Sequence, residues 1–293
     1  MTGLTTAQDE NSADAVATPT EEFRSLRDLR GSLGWHVGAA TRAILIFLVC
    51  LLGAGVQGLM LRLRPTAWNR VPRLISRIVA HLVGLRVRVE GQPTGEPALL
   101  VSNHVSWLDI PLLGANTSAS FVAKKEVAGW GGFGLMARLY CCVFVDRTRR
   151  NSAGAQLDAI AARLEKGDSL ILFAEGTSSD GRTVLPFKSA LFGTARQLPD
   201  LRVQPVTIAY THINGLPMTR AMRPLIGWFG DMELTSHVWQ ALTLGRIGAV
   251  LKFHAPVTLN ETGSRKALAA QCHAACKSGL EDIHYRQLPD PAS

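Results

Sequence analysis

The sequence predicts an α/β domain, with a central mixed sheet covered by helices, carried behind an N-terminal membrane-anchoring helical segment. Three observations predict it. One apolar run near the N-terminus matches the thickness of a bilayer, a basic amphipathic stretch follows it, and from about Leu85 short apolar runs alternate with amphipathic ones.

Residues 1–37 are assigned to a disordered tail; the first 23 are rich in Thr, Ala, Asp and Glu without any period, and lack the basic start of a signal peptide. Residues 38–84 are assigned to membrane-anchoring helices. From Ala43 to Leu61 the run AILIFLVCLLGAGVQGLML has Gln57 as its one polar side chain, and as a helix it spans about 28 Å. Gly53, Gly55 and Gly58 weaken one half, and arginines flank both sides (Arg42 before, Arg62 and Arg64 after), so crossing and re-entry both fit. Next, Val71, Leu74, Ile75, Ile78, Val79 and Leu82 recur at helical spacing while Arg70, Arg73 and Arg77 fall elsewhere, with Pro72 near the start and Gly84 past the end. This basic amphipathic helix suits a headgroup layer, or packs on its own domain with its arginines in water.

Residues 85–293 form the catalytic domain in this reading. LRVRVEG, PALLVSN, ASFVAK, CCVFVDR, SLILFAEG, VQPVTIAY and AVLKFHAPV read as strands. Leu157, Ile160, Ala161 and Leu164 mark one helix, and PFKSALFGTARQL marks another. The stretch from Gly215 to Ile247, with Trp228 and Trp239, gives no assignment. A chain starting near Leu85 is expected to be more soluble than the whole.

The balance of 31 basic against 23 acidic residues, a net charge of +8, implies a polyanionic partner. The arginines cluster beside an apolar helix and lack interleaved aromatics, which points to a lipid surface and not to nucleic acid. Five cysteines without a spaced framework argue for a reducing compartment, and the catalytic domain is placed on the cytoplasmic face of the membrane. Cys272, His273 and Cys276 lack the second cluster a zinc site needs, so the cysteines read as small buried hydrophobes. No metal or organic cofactor is called for.

Chemistry concentrates at strand ends. His104 and Asp109 in SNHVSWLDI follow the run ALLVSN, where a strand gives way to a turn. On a continuous helix five residues separate side chains by about 140°, so the two touch only if the chain turns between them. Touching lets the carboxylate hold one imidazole nitrogen protonated and leaves the other free to accept a proton. FVDRTRR puts Asp146 and Arg147 at a second strand end, and ILFAEGTSSDG puts Glu175, Gly176 and Thr177 at a third.

These blocks, in this order, resemble the glycerolipid acyltransferase family, typified by 1-acylglycerol-3-phosphate acyltransferases. That family carries an N-H-x-x-x-x-D block, then F-x-D-R, then F-P-E-G-T-R-S, then a final strand with V-P-V. The match runs through Asn103, His104 and Asp109, then Phe144, Asp146 and Arg147, then Phe173, Glu175, Gly176 and Thr177, and lastly Pro205 and Val206, about the middle third of the chain. Two positions depart: Ala174 stands for the usual proline and Ser178 for the usual arginine. The family associates that arginine with the acceptor's phosphate, and serine cannot supply its bidentate charged contact. Arg182, Lys188, Lys124 and Lys125 are candidate substitutes.

The resemblance implies a membrane-bound lysolipid O-acyltransferase. His104 would take the proton from the acceptor's free hydroxyl, Asp109 would stabilise the imidazolium, and Arg147, Glu175, Gly176 and Thr177 would position the head group. Backbone amides near the His104 turn or around Gly176 would hold the oxyanion. The donor would be a thioester of coenzyme A or acyl carrier protein. The first expected acceptor is 1-acyl-sn-glycerol-3-phosphate, giving phosphatidic acid; a lyso-ornithine lipid or other lysophospholipid is the alternative, and a non-catalytic lipid-binding membrane protein is the alternative of another class.

Overall fold

The computed structural model describes residues 33–95, 97–146 and 153–286. The chain begins with a long apolar helix α1 (Leu33–Leu63), followed by α2 (Arg70–Val83) and strand β1 (Leu85–Glu90). Then come β2 (Ala98–Ser102), α3 (Asp109–Asn116), β3 (Ser120–Lys124), α4 (Gly131–Leu139), β4 (Val143–Val145), α5 (Ala153–Glu165) and β5 (Leu170–Phe173). The last third holds a long strand β6 (Arg202–Ile213), a short return β7 (Leu216–Pro217), α6 (Leu234–Leu242), β8 (Ile247–Phe253), α7 (Leu259–Thr262) and α8 (Arg265–Tyr285).

The sheet is mixed, in the order β1-β8-β6-β2-β5-β3-β4, with β7 paired to β6. Among the described residues the β6–β8 and β6–β7 ladders are antiparallel and the other ladders parallel. Parallel strands covered on both faces need apolar residues at every position, and β2 and β5 are buried throughout. Alternate side chains feed two cores. Leu100, Ile171, Ile208 and Leu251 meet α2, α3 and α6 on one face, while Leu99, Leu172 and Val203 meet α5, the 3₁₀ segment Ser189–Arg196 and α8 on the other. Cys272 and Cys276 lie wholly buried in the second core. Pro205 sits inside β6 without disrupting it, because its ladder with β8 begins only at Val206.

The sheet and its covering helices match the expected fold class, and the differences from expectation have local causes. Residues 33–37, assigned to the tail, are the first turn and more of α1; the rest of the tail lies outside the described residues. Of the expected stripe on α2, Leu74 and Ile78 face outward, and the buried face is Pro72, Ile75, Ser76, Ala80 and Val83. Small residues let neighbouring helices approach there: Gly53 of α1 lies against Ile75, and Gly114 of α3 against Ser76. The PFKSALFGTARQL stretch winds as a 3₁₀ segment. The unassigned stretch contributes α6, which packs on α1.

Helix α1 is the one helix among the described residues long and apolar enough to cross a membrane. It is also docked on the domain. Arg42 donates to the carbonyl of Leu242 at the end of α6, and Gln57, 1% exposed, donates at 2.9 Å to the carbonyls of Trp68 and Leu139.

Candidate active site

The parallel ladders bring the carboxyl ends of β2, β3 and β5 to one edge of the sheet, where the backbone leaves the ladder and exposes groups for chemistry. From β2 the chain continues through Asn103 into a turn over residues 103–108 and enters α3 at Asp109. The turn doubles back enough for Nδ1 of His104 to lie 2.8 Å from Oδ2 of Asp109. An ionised carboxylate only accepts, so Nδ1 carries the proton and Nε2 is left as the acceptor. The imidazole is 18% exposed and the carboxylate fully buried.

Asp109 is held by more than the imidazole. Oδ2 also accepts the backbone amides of Val105 at 2.7 Å and Ser106 at 3.0 Å, and Oδ1 accepts the hydroxyl of Tyr210 at 2.7 Å. The imidazole plane stacks on Phe173, centroids 3.9 Å apart and 16° from parallel. Asn103 fixes the start of the turn, accepting from the amide of Ile208 and donating to its carbonyl. The carbonyl of His104 accepts the amide of Ser179 at 2.9 Å, and the carbonyl of Val105 that of Trp228 at 2.9 Å.

Glu175 lies beneath this turn, 2% exposed, with Oε1 accepting the amide of His104 at 3.3 Å. Burial pushes its carboxyl up to about 8; amides of His104 and Leu185 pull the other way, and the charge of Asp109 adds to the rise. Burial thus favours the protonated form of this carboxyl at neutral pH. Gly176 follows with φ of +75°, a backbone conformation that favours glycine, and the end of Lys188 lies against it, 2.9–3.1 Å from where a Cβ would be.

The expected site residues divide by position. His104, Asp109, Glu175, Gly176 and Lys188 come together, Glu175 as a support under the turn. Thr177 and Arg182 are exposed on the same loop, Arg182 with Nε 3.9 Å from Asp180. Lys124 and Lys125 are exposed at the end of β3, and Lys125 lies 3.7 Å from Asp146. Arg147 lies outside the described residues. Among the amides of the turn and of the Gly176 region, those of Val105 and Ser106 donate to Asp109 and that of Gly176 to the carbonyl of Phe173. Tyr210, the second donor side chain on Asp109, was not anticipated. No group of three or more His, Cys, Asp or Glu side chains able to hold a metal is found among the described residues.

Fold and site define an α/β protein with a histidine–carboxylate pair at the carboxyl edge of a mostly parallel sheet. Residues 85–209 match the acyltransferase family profile. The chain is 47% identical over 242 residues to a lyso-ornithine lipid O-acyltransferase of Brucella abortus, covering 80% of this chain and 91% of the relative. A protein of the same name from Rhizobium meliloti is 39% identical over 259 residues, 85% and 88% of the two chains. A 1-acyl-sn-glycerol-3-phosphate acyltransferase of Neisseria gonorrhoeae is 29% identical over 223 residues, 74% and 84%. The crystal structure of the 1-acyl-sn-glycerophosphate acyltransferase PlsC from Thermotoga maritima shares the fold, with a TM-score of 0.55 at 23% identity over 84% of this chain and 99% of that one. The chain belongs to the acyltransferase family, and it is an acyl-transferring enzyme of lipid metabolism. A non-catalytic lipid-binding role is thereby set aside.

Proposed function

We propose that this enzyme is a lyso-ornithine lipid O-acyltransferase working at a membrane surface, with His104 as general base. His104 Nε2 takes the proton of the acceptor hydroxyl as its oxygen bonds to the thioester carbonyl carbon of the donor. Asp109 stabilises the imidazolium through Nδ1. The tetrahedral intermediate collapses by breaking the carbon–sulfur bond, and the imidazolium returns the proton to the departing thiolate. The products are an ester and a free thiol of coenzyme A or acyl carrier protein. Lys188, laid across Gly176, supplies positive charge near the carbonyl oxygen as it becomes an oxyanion.

Ser178 carries the choice of acceptor: it stands where the family's motif has a phosphate-binding arginine. Beside it Asp180 and Arg182 present a carboxylate and a guanidinium, a pair suited to an amino-acid head group bearing an ammonium and a carboxylate. The relatives named for lyso-ornithine lipid support the same acceptor. The first expectation, 1-acyl-sn-glycerol-3-phosphate, becomes the second reading, favoured by the Neisseria relative.

An acceptor panel with one labelled acyl thioester and purified full-length enzyme in lipid–detergent micelles tests this. The expected result is a kcat/KM for lyso-ornithine lipid at least about 10-fold above that for 1-acyl-sn-glycerol-3-phosphate. The reverse preference overturns the acceptor assignment.

The membrane seat is proposed from α1, whose outer face carries Phe47, Leu48, Leu51, Leu52 and Leu59 exposed, while Arg42 and Gln57 dock its inner face. The cytoplasmic face is proposed from the free cysteines, which suit a reducing compartment.

A further inference from the structure

We propose that Tyr210 is a positioning residue of the catalytic pair, a third member that acts on the reaction through Asp109 without touching substrate. The inference rests on the general-base reading of His104.

The argument begins with the carboxylate's donors. Oδ2 of Asp109 accepts three, from Nδ1 of His104 and the amides of Val105 and Ser106; Oδ1 accepts from Tyr210 at 2.7 Å. A fully buried carboxylate with one oxygen bare would be costly and free to twist, and twisting would carry the imidazole with it. The hydroxyl of Tyr210 therefore sets both the orientation of Asp109 and how much negative charge is left to attract the imidazolium.

The fold makes specific provision for this contact. β6 runs on past the end of β2, whose last pair is Ser102 with Val206. Asn103 then takes over the pairing through its two bonds to Ile208, keying the catalytic turn to β6. Tyr210 lies two residues on, the same face of the strand, where its ring joins the core of Ile208 and its hydroxyl reaches Asp109. Directly after it the ladder with β8 shifts register between Tyr210 and His212, a bulge of the kind that re-aims side chains beside active sites. Burial and the charge of Asp109 hold the phenol well above its usual range, so it donates at every working pH.

The groups facing the pair are Glu175 from the turn after β5, Tyr210 from β6 and Cys276 of α8 behind Glu175, with Lys188, Asp180 and Arg182 on the loop beyond. Tyr210→Phe changes only one of them. In full-length enzyme we expect kcat to fall about 10- to 100-fold, the factor a hydrogen bond to a charged group supplies, with KM within about twofold. The acidic limb of the pH–rate profile is expected to move to higher pH, because a less neutralised carboxylate holds the imidazolium more tightly. Replacing Tyr210 by 3-fluorotyrosine keeps shape and packing, strengthens the donor, and is expected to move the limb to lower pH; it reads the effect even if the Phe variant fails to fold. An acidic limb unmoved in the fluorotyrosine enzyme, or wild-type kcat in Tyr210→Phe, overturns the proposal. Transfer surviving in His104→Ala overturns instead the general-base reading beneath it.

Discussion

Glu175 sits under the peptide that carries His104, and its raised carboxyl has consequences that reach both stability and rate. A carboxyl that binds its proton more tightly folded than unfolded contributes fully below its ordinary value of 4.5, and that contribution is lost as pH rises toward about 8. Glu175→Gln imitates the protonated form. Thermal melts of the two proteins should coincide near pH 4.5 and separate above it, the variant being more stable by more than about 1 kcal/mol at pH 8. At pH 7 the variant should keep activity within about threefold, since the amide of His104 retains its acceptor. His104→Ala should lose at least about 1,000-fold in kcat with its melting profile preserved, measured with labelled thioester. The sequence already contained His104, Asp109 and Glu175 as motif residues, because block spacing survives without coordinates. Tyr210 was hidden: in VQPVTIAY an aromatic on an apolar strand looks like core, and its contact with Asp109 spans 101 positions that only the β2–β6 ladder brings together. The depth of Glu175 was hidden too, since an acidic residue in a turn reads as solvated until the strands around it are stacked.

At the level of elements, the strands were legible because parallel, doubly covered strands are continuous apolar runs bounded by turns. Helix α2 was legible in extent, from Pro72 to Gly84, but not in orientation. Its apolar residues wrap far enough round to serve two neighbours, and the buried side is chosen by close approach at Gly53–Ile75 and Ser76–Gly114, which a stripe of hydropathy does not encode. Gln57 shows the same logic in α1. The one polar side chain of the apolar run helps hold α1 to the domain, closing the carbonyls of Trp68 and of Leu139 at the end of α4. Gln57→Leu preserves volume and removes both donors, leaving carbonyls without their partner. Unfolding of the detergent-solubilised protein should show a loss of about 1–3 kcal/mol, the cost of stranding buried acceptors. A melt indistinguishable from wild type would mean those carbonyls find other donors and that α1 is held by packing and by the Arg42 contact with Leu242.

Across the whole molecule, α1 and α2 pack against the sheet domain, so the greater solubility expected of a chain starting near Leu85 competes with the apolar surface that such a truncation would uncover. Ala80 and Val83 of α2 are buried in the core it shares with α3 and the sheet, and Trp68 donates to Asp168 just before β5. Removing residues 1–84 would uncover Leu85, Leu113 and the rest of that face, apolar surface whose burial is worth about 25 cal/mol per Å². The truncated chain should therefore aggregate, eluting in the void volume on gel filtration and binding a hydrophobic dye. The outward face of α1 asks for different treatment, because it is exposed in the folded chain and its removal uncovers nothing: Leu52 is 70% exposed, and Leu48 lies one turn earlier on the same side. Leu48→Asp combined with Leu52→Asp should leave the melting temperature in detergent unchanged while reducing flotation with anionic vesicles. Each aspartate costs about 2.5–3.5 kcal/mol in a bilayer centre on insertion scales and nothing comparable in water. If the double variant floats as well as wild type, attachment is carried by the basic residues around α2, and flotation should then collapse in high salt, where screening removes their attraction to lipid headgroups.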